Sequence, residues 1–246
     1  MFRPRHLVLP ALLAVLCACE RQPAVDDARP ETARGFPAAY RPVSKATEAP
    51  LASEAERDGR NEAHAVMDLA GIAPGMSVAD VGAGEGYYTV RLAQRVGPKG
   101  RVLAEDIDPA VTEQLGTRVM REGLENVSIK LGTEDDPSLP PDSFDRILMV
   151  HMYHEVTEPY AFLWRLRQAL RPGGKVIVVD ADRPTGAHGI PPPLLFCELA
   201  AVGFRLTEFA RKPELQGYYA QFEAVGVRPA PDKITPCRVP GGTQAD

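Results

Sequence analysis

The sequence predicts an α/β fold: a doubly wound, mostly parallel seven-stranded sheet that ends in an antiparallel hairpin. Three observations carry this expectation. Strand and helix patterns alternate from Ser77 to Val179, the rhythm of a parallel sheet covered on both faces. The run Phe144–Val150 is apolar enough for a central strand. Finally, Phe204–Phe209 and Tyr218–Val225 are strand-like with no room for a helix between them, so they should pair antiparallel at one edge.

The elements follow in order. Ala63, Val66, Met67, Leu69 and Ala70 recur at helical spacing, and Gly71 should end that helix. Pro74-Gly75 turns the chain into a first strand, Ser77–Val81, and the glycines after it open a helix over Tyr87–Val96. A second strand is expected at Arg101–Glu105, a helix from Pro109 to Glu122, a third strand at Val127–Leu131 and the fourth at Phe144–Val150. Leu163, Leu166 and Leu170 mark a helix that Pro172-Gly173-Gly174 should stop, before a fifth strand at Lys175–Val179 and a helix over Leu194–Val202. This places the domain at 51–228, with a tail over 229–246.

The chain of 246 residues is long enough for one such domain and little more. Its net charge of −5, with arginines scattered rather than grouped, gives no basic face for nucleic acid. The N-terminus reads as an export signal. Arg3, Arg5 and His6 precede the apolar run Leu7–Leu16, which is too short to span a bilayer but suits a signal-peptide core. Residues 1–19 end in Leu16-Cys17-Ala18-Cys19, which resembles a bacterial lipobox with Cys19 as the lipidated residue; a plain secretory signal is the simpler alternative. Residues 20–50, with Pro23, Pro30, Pro37, Pro42 and Pro50 and no apolar periodicity, read as a disordered tether. The expected location is therefore the periplasmic side of a bacterial envelope, with membrane contact only through the lipid. Cys197 and Cys237 either form a disulfide in that oxidising compartment or remain two free thiols.

Chemistry concentrates after the first strand. Gly82-Ala-Gly-Glu-Gly86 brings a backbone close to a ligand at the carboxyl end of a strand, and an acid follows at the end of the second strand, where it can accept ribose hydroxyls. The Gly-x-Gly-x-Gly spacing lacks the third glycine position of a dinucleotide loop, and Asp80 before it is unsuited to a pyrophosphate.

With Val78-Ala-Asp-Val-Gly-Ala-Gly-Glu-Gly86, Ala104-Glu-Asp-Ile-Asp-Pro109, Leu139-Pro-Pro-Asp-Ser-Phe-Asp145 and Leu170-Arg-Pro-Gly-Gly-Lys175 in this order, the chain resembles class I S-adenosylmethionine-dependent methyltransferases. The likeness is to the small-molecule branch typified by quinone-biosynthesis enzymes. It implies a Rossmann-like methyltransferase fold, S-adenosylmethionine as cofactor and a small-molecule acceptor. It also implies that Asp80, Gly82, Gly84 and Gly86 hold the methionine and ribose portion and that Asp106 is the ribose acid. On the adenine side the family has Gly-Asp, where this chain has Gly132-Thr133-Glu134-Asp135, so either Glu134 or Asp135 takes that place.

The segment Val150-His-Met-Tyr-His-Glu-Val156 holds the densest group of acid–base residues. His151 and His154 are candidate general bases, or they contact the cofactor and shape the pocket without moving protons. No metal is expected, because His-x-x-His-Glu at a strand end does not match a helical zinc motif. Tyr87 and Tyr88 read as packing, and His64 and His188 as surface residues. Acceptor selection should reside in the helix before the first strand and in 181–196. Because S-adenosylmethionine is made in the cytosol, two alternatives accompany the enzyme reading: a non-catalytic envelope protein that binds an adenosyl ligand, and a nicotinamide-dependent oxidoreductase, which the loop spacing opposes.

Overall fold

The computed structural model describes residues 28–44 and 52–238. The signal and lipobox-like segment, including Cys17 and Cys19, lies outside the described residues. Alternation along the strands builds two apolar faces on one sheet. Its elements are α1 (Glu54–Gly59), α2 (Glu62–Leu69), β1 (Ser77–Val81), α3 (Tyr87–Val96), β2 (Arg101–Asp106), α4 (Pro109–Arg121) and β3 (Val127–Leu131). They continue with β4 (Phe144–Val150), α5 (Pro159–Gln168), β5 (Leu170–Asp180), α6 (Pro192–Ala201), β6 (Phe204–Lys212) and β7 (Gly217–Ala224). The sheet order is β3-β2-β1-β4-β5-β7-β6, parallel from β3 through β5 and antiparallel at β5–β7 and β7–β6.

One face carries Ala79, Val81, Ile147, Met149, Val176 and Val178 against α5 and α6; the other carries Val78, Leu148, Ile177 and Val179 against α2 and α3. Local chemistry sets the helix starts. Asp108 caps α4 by accepting from the amides of Ala110 and Val111, with Pro109 in the first turn. Ser53 and Glu56 form a reciprocal capping box at α1, a helix that apolar spacing alone does not reveal. The helix before the fifth strand ends earlier than expected. Leu170 already pairs with Phe144, and the Pro172–Gly174 turn becomes an irregularity within β5 rather than a helix stop. At the outer edge, β6 is kinked between Leu206 and Glu208 and is studded with Arg205, Glu208, Arg211 and Lys212.

One expectation is corrected. Within the segment read as a disordered tether, residues 28–44 are packed on the α5–α6 face. Ala33 and Phe36 enter the core, Arg29 donates twice to Glu158 at 2.7 and 2.6 Å, and Thr32 donates to Asp135 at 2.6 Å. Arg41 is fully buried in an ion pair with Glu198 at 2.9 Å. Isolated anchors without periodicity are invisible to a pattern search, which is why this strap was not legible. Over its described part the tail is pinned to the domain: Cys237 is buried and disulfide-bonded to Cys197, and Tyr40 bridges to Arg238. Of the two cysteine alternatives, the disulfide is the one formed.

The bridge spans a sequence separation of 40, for which loop-closure entropy gives about 4 kcal/mol. A Cys197→Ser/Cys237→Ser variant, or the reduced protein, is expected to melt on the order of 10 °C lower, measured by circular dichroism with and without reductant.

Candidate active site

The strand order reverses between β1 and β4, and the carboxyl ends of these strands with β2 and β5 form the mouth of the fold. The three loop glycines have different tasks there. A Cβ on Gly82 would meet Met152 Cγ at 2.8 Å, and one on Gly86 would meet Leu115 Cδ1 at 2.5 Å, so both are needed for packing. Gly84 has φ +54° and its Cβ position meets nothing within 4 Å. It is therefore the glycine whose bare backbone faces open space.

The acid at the end of β2 organises this loop. Asp106 Oδ2 accepts the Gly84 amide at 2.9 Å, and Oδ1 accepts the Asp108 amide at 3.1 Å. Each carboxylate oxygen has a second lone pair for a hydroxyl. Ile107, beside it, is 54% exposed and offers an apolar surface at the same edge. Asp80 is buried and accepts from Thr89 Oγ1 at 2.6 Å, which ties β1 to α3; burial pushes its pKa up to about 6.

The adenine-side alternatives separate clearly. Asp135 is buried and already accepts from Thr32, Thr133 and Arg165, which hold its carboxyl below the usual range despite burial. Glu134 is exposed and accepts only from Thr157 at 3.3 Å among its side-chain hydrogen bonds. Of the two, Glu134 is the acid open to solvent.

The two histidines after β4 also part company. His151, at φ +55°, turns toward the α2 face, with Nε2 3.9 Å from Glu62 Oε1; burial lowers its pKa. Glu62 is taken by Arg57 at 2.6 Å and Tyr88 at 3.2 Å. His154 is buried on the 3₁₀ turn Tyr153–Glu155, and its Nδ1 lies 2.9 and 3.0 Å from the two carboxylate oxygens of Asp180. A carboxylate on Nδ1 makes that nitrogen the donor and leaves the Nε2 lone pair free. Asp180 escaped the sequence reading, although an acid at the carboxyl end of a central strand was its available signal. His188 is not an isolated surface residue: its ring stacks edge-to-face on His154, with centroids 5.7 Å apart. Tyr87 and Tyr88 are packed as expected, donating to Asp58 and Glu62. Burial, reinforced by Asp180 and Asp106, pushes the Glu155 carboxyl up.

Glu105 is a further buried acid at the mouth. It is 1% exposed, Gly132 leaves it room, and its Oε1 has no hydrogen-bond partner. Burial first, then Asp106, raises its pKa to about 8. Because the folded state holds this proton more tightly than the unfolded one, stability falls as pH rises from the ordinary value of 4.5 to about 8. Glu105→Gln is expected to be neutral near the acid end of that window and stabilising by a few kcal/mol at its alkaline end, read from urea melts across the range. A pH dependence identical to that of the parent protein would contradict the assignment.

Comparison with known proteins agrees with this geometry. Residues 78–174 match the family model described as Methyltransferase domain. The chain is 30% identical over 119 residues to the ubiquinone/menaquinone biosynthesis C-methyltransferase of Shewanella sp. (strain W3-18-1), covering 48% of this chain and 47% of that one. It is 28% identical over 120 residues to the protein of the same name from Hahella chejuensis, covering 48% of each. The chain thus spans about half the length of the curated relatives it matches. Among solved structures, a SAM dependent methyltransferase from Aquifex aeolicus superposes with TM-score 0.60 at 23% identity, covering 70% of this chain and 97% of that one. The [4+2]-cyclase SpnF superposes with TM-score 0.57 at 19% identity, covering 73% and 69%. The chain therefore has the Rossmann-like fold of the class I methyltransferases, and its residues 78–174 match a methyltransferase domain.

Proposed function

We propose that this protein is an S-adenosylmethionine-dependent methyltransferase acting on a small-molecule acceptor. The observation that carries the reading is the open backbone of Gly84, bonded to the carboxylate of Asp106 at the reversal of strand order. The residues fit the cofactor. Gly84 gives close approach, Asp106 offers oxygens to ribose hydroxyls, Ile107 offers an apolar face, and Glu134 is the exposed acid beyond β3. Asp106 supplies a carboxylate at the mouth, which suits a ligand carrying sulfonium and ammonium charges, and such a cation would draw the neighbouring Asp80 and Glu105 toward their ionised forms. When bound, the cofactor supplies an electrophilic methyl group on sulfur.

Methyl transfer is a direct displacement, so the protein's principal task is to align the acceptor. His154 is the side chain best placed to activate it. Asp180 fixes its tautomer and orientation, which leaves Nε2 to receive a proton from an acceptor hydroxyl or acidic carbon. The relatives' names make quinone precursors the first acceptors to assay.

We also read the chain as exported to the periplasmic side of a bacterial envelope, with Cys19 as a lipid anchor. The apolar run after Arg3 and Arg5 and the Cys197–Cys237 disulfide support this. Globomycin-sensitive processing in a fractionation experiment tests the anchor; recovery of the chain in the cytosol would refute it.

Calorimetry is expected to show binding of S-adenosylmethionine and its demethylated product but not of NADH. Gly84→Val, which places a branched side chain at positive φ in the ligand's path, is expected to abolish that isotherm without unfolding the protein. Retained affinity would overturn the loop assignment. His154→Ala should lower turnover about 100-fold with cofactor affinity unchanged, and Asp180→Asn should shift the pH–rate profile rather than only the stability.

A further inference from the structure

His154, Glu155 and His188 come from two separate loops, yet one ligand atom from each lies within 4.8 Å of the others. His154 Nε2 and Glu155 Oε1 are 3.7 Å apart. With Nδ1 donating to Asp180, the neutral ring has its Nε2 lone pair beside Glu155 Oε1, and the His188 ring packs edge-to-face against it. Two imidazoles and a carboxylate converging in this way are satisfied by a shared proton or by a cation between them, and only a cation engages all three donors at once. We infer that His154, Glu155 and His188 form a binding site for one divalent transition-metal ion of the zinc class at the mouth of the fold.

The surroundings are built for this. Asp180 holds the far nitrogen of His154 with both oxygens, the carboxylate–histidine pairing that orients a ligating ring. The His188 backbone is fixed by its amide donating to Ser44 Oγ at 2.9 Å, and Ser44 in turn donates to Thr185 O. Gly189 presses that loop against the end of β5, since a Cβ there would meet Ala181 O at 2.5 Å. Glu155 and His188 are half-buried and His154 buried, so the group closes on the protein side and opens on the other.

The donor set selects the ion. Two imidazoles and one carboxylate suit zinc and its neighbours, whereas magnesium and calcium prefer oxygen ligands. Bonds of about 2.1 Å put tetrahedral ligand atoms roughly 3.4 Å apart. The observed separations thus need only modest side-chain rotation of Glu155 and His188. Three protein ligands leave a fourth position, and an open position is what distinguishes a catalytic site from a structural one. On the methyltransferase reading, an ion held here would occupy the His154 Nε2 lone pair and would replace that nitrogen as the group that activates the acceptor, whereas the metal-free protein would use His154 as the base. Metal binding itself does not depend on that reading.

The test is a titration of metal-free full-length protein, without a histidine tag, with Co²⁺, followed by its visible d–d absorption. Saturation at one equivalent, displacement by Zn²⁺ and indifference to Mg²⁺ are expected. His188→Ala and Glu155→Gln, whose side chains are only half-buried, should lose the spectrum while keeping the parent melting temperature. Asp180→Asn should weaken binding about 10- to 100-fold. No stoichiometric spectrum in the parent protein, or one unchanged in His188→Ala and Glu155→Gln, overturns the site. S-adenosylmethionine titrated into the same metal-free sample separates the two ideas. Cofactor binding without Co²⁺ binding removes only the metal site; Co²⁺ binding without cofactor binding removes only the methyltransferase reading.

Discussion

The buried ion pair between Arg41 and Glu198 holds together the parts of this protein that local sequence patterns do not. Both side chains are withdrawn from water, and such a pair is tolerable only when its remaining donors and acceptors are satisfied. Here they are. The Arg41 guanidinium also donates to the carbonyls of Tyr153, His154 and Val156, and Tyr153 donates to the second oxygen of Glu198 at 2.7 Å. One cation thus fastens the N-terminal strap, α6 and the 3₁₀ turn that carries His154. The position of the histidine follows from a contact with a residue more than a hundred positions earlier in the chain.

The mouth of the sheet is organised by crowding among acids. Asp106 helps raise the pKa of Asp80, Glu105 and Glu155, and Asp180 acts on Glu155 in the same direction. The sheet brings these carboxyls together because each lies at or just beyond the carboxyl end of a strand. Crowding of this kind favours the protonated carboxyls, and a cation placed among them would reverse that preference. The two histidines were candidates of equal standing in the sequence, but the fold gives each a different face: His151 looks toward Glu62 and α2, His154 toward Asp180.

What was legible follows the range of the determining interaction. The strands from β1 to β7, the helices between them and the closing hairpin rest on local periodicity and turn residues, and they appear within a few residues of their expected limits. The loop glycines and Asp106 lie together at the strand ends, as a motif of fixed spacing led one to expect of their positions. The strap at 28–44 was not, since Ala33, Phe36 and Arg41 act singly against distant partners. Asp135 could not be told from Glu134, because two of its three side-chain donors, Thr32 on the strap and Arg165 on α5, come from distant parts of the chain. His188 looked solitary for the same reason: its neighbour lies on another loop.

The outer strand β6 ends the sheet in a way that matters beyond its own hairpin. An unpaired strand edge is a template on which a passing chain can add itself. The kink between Leu206 and Glu208 breaks the straight row of amides and carbonyls, and Arg205, Glu208, Arg211 and Lys212 would have to be stripped of water by any newcomer. Polymerisation by strand addition is therefore opposed at the side where the parallel core gives way to the hairpin. Many copies held at high density on one surface would meet through charged, solvated edges.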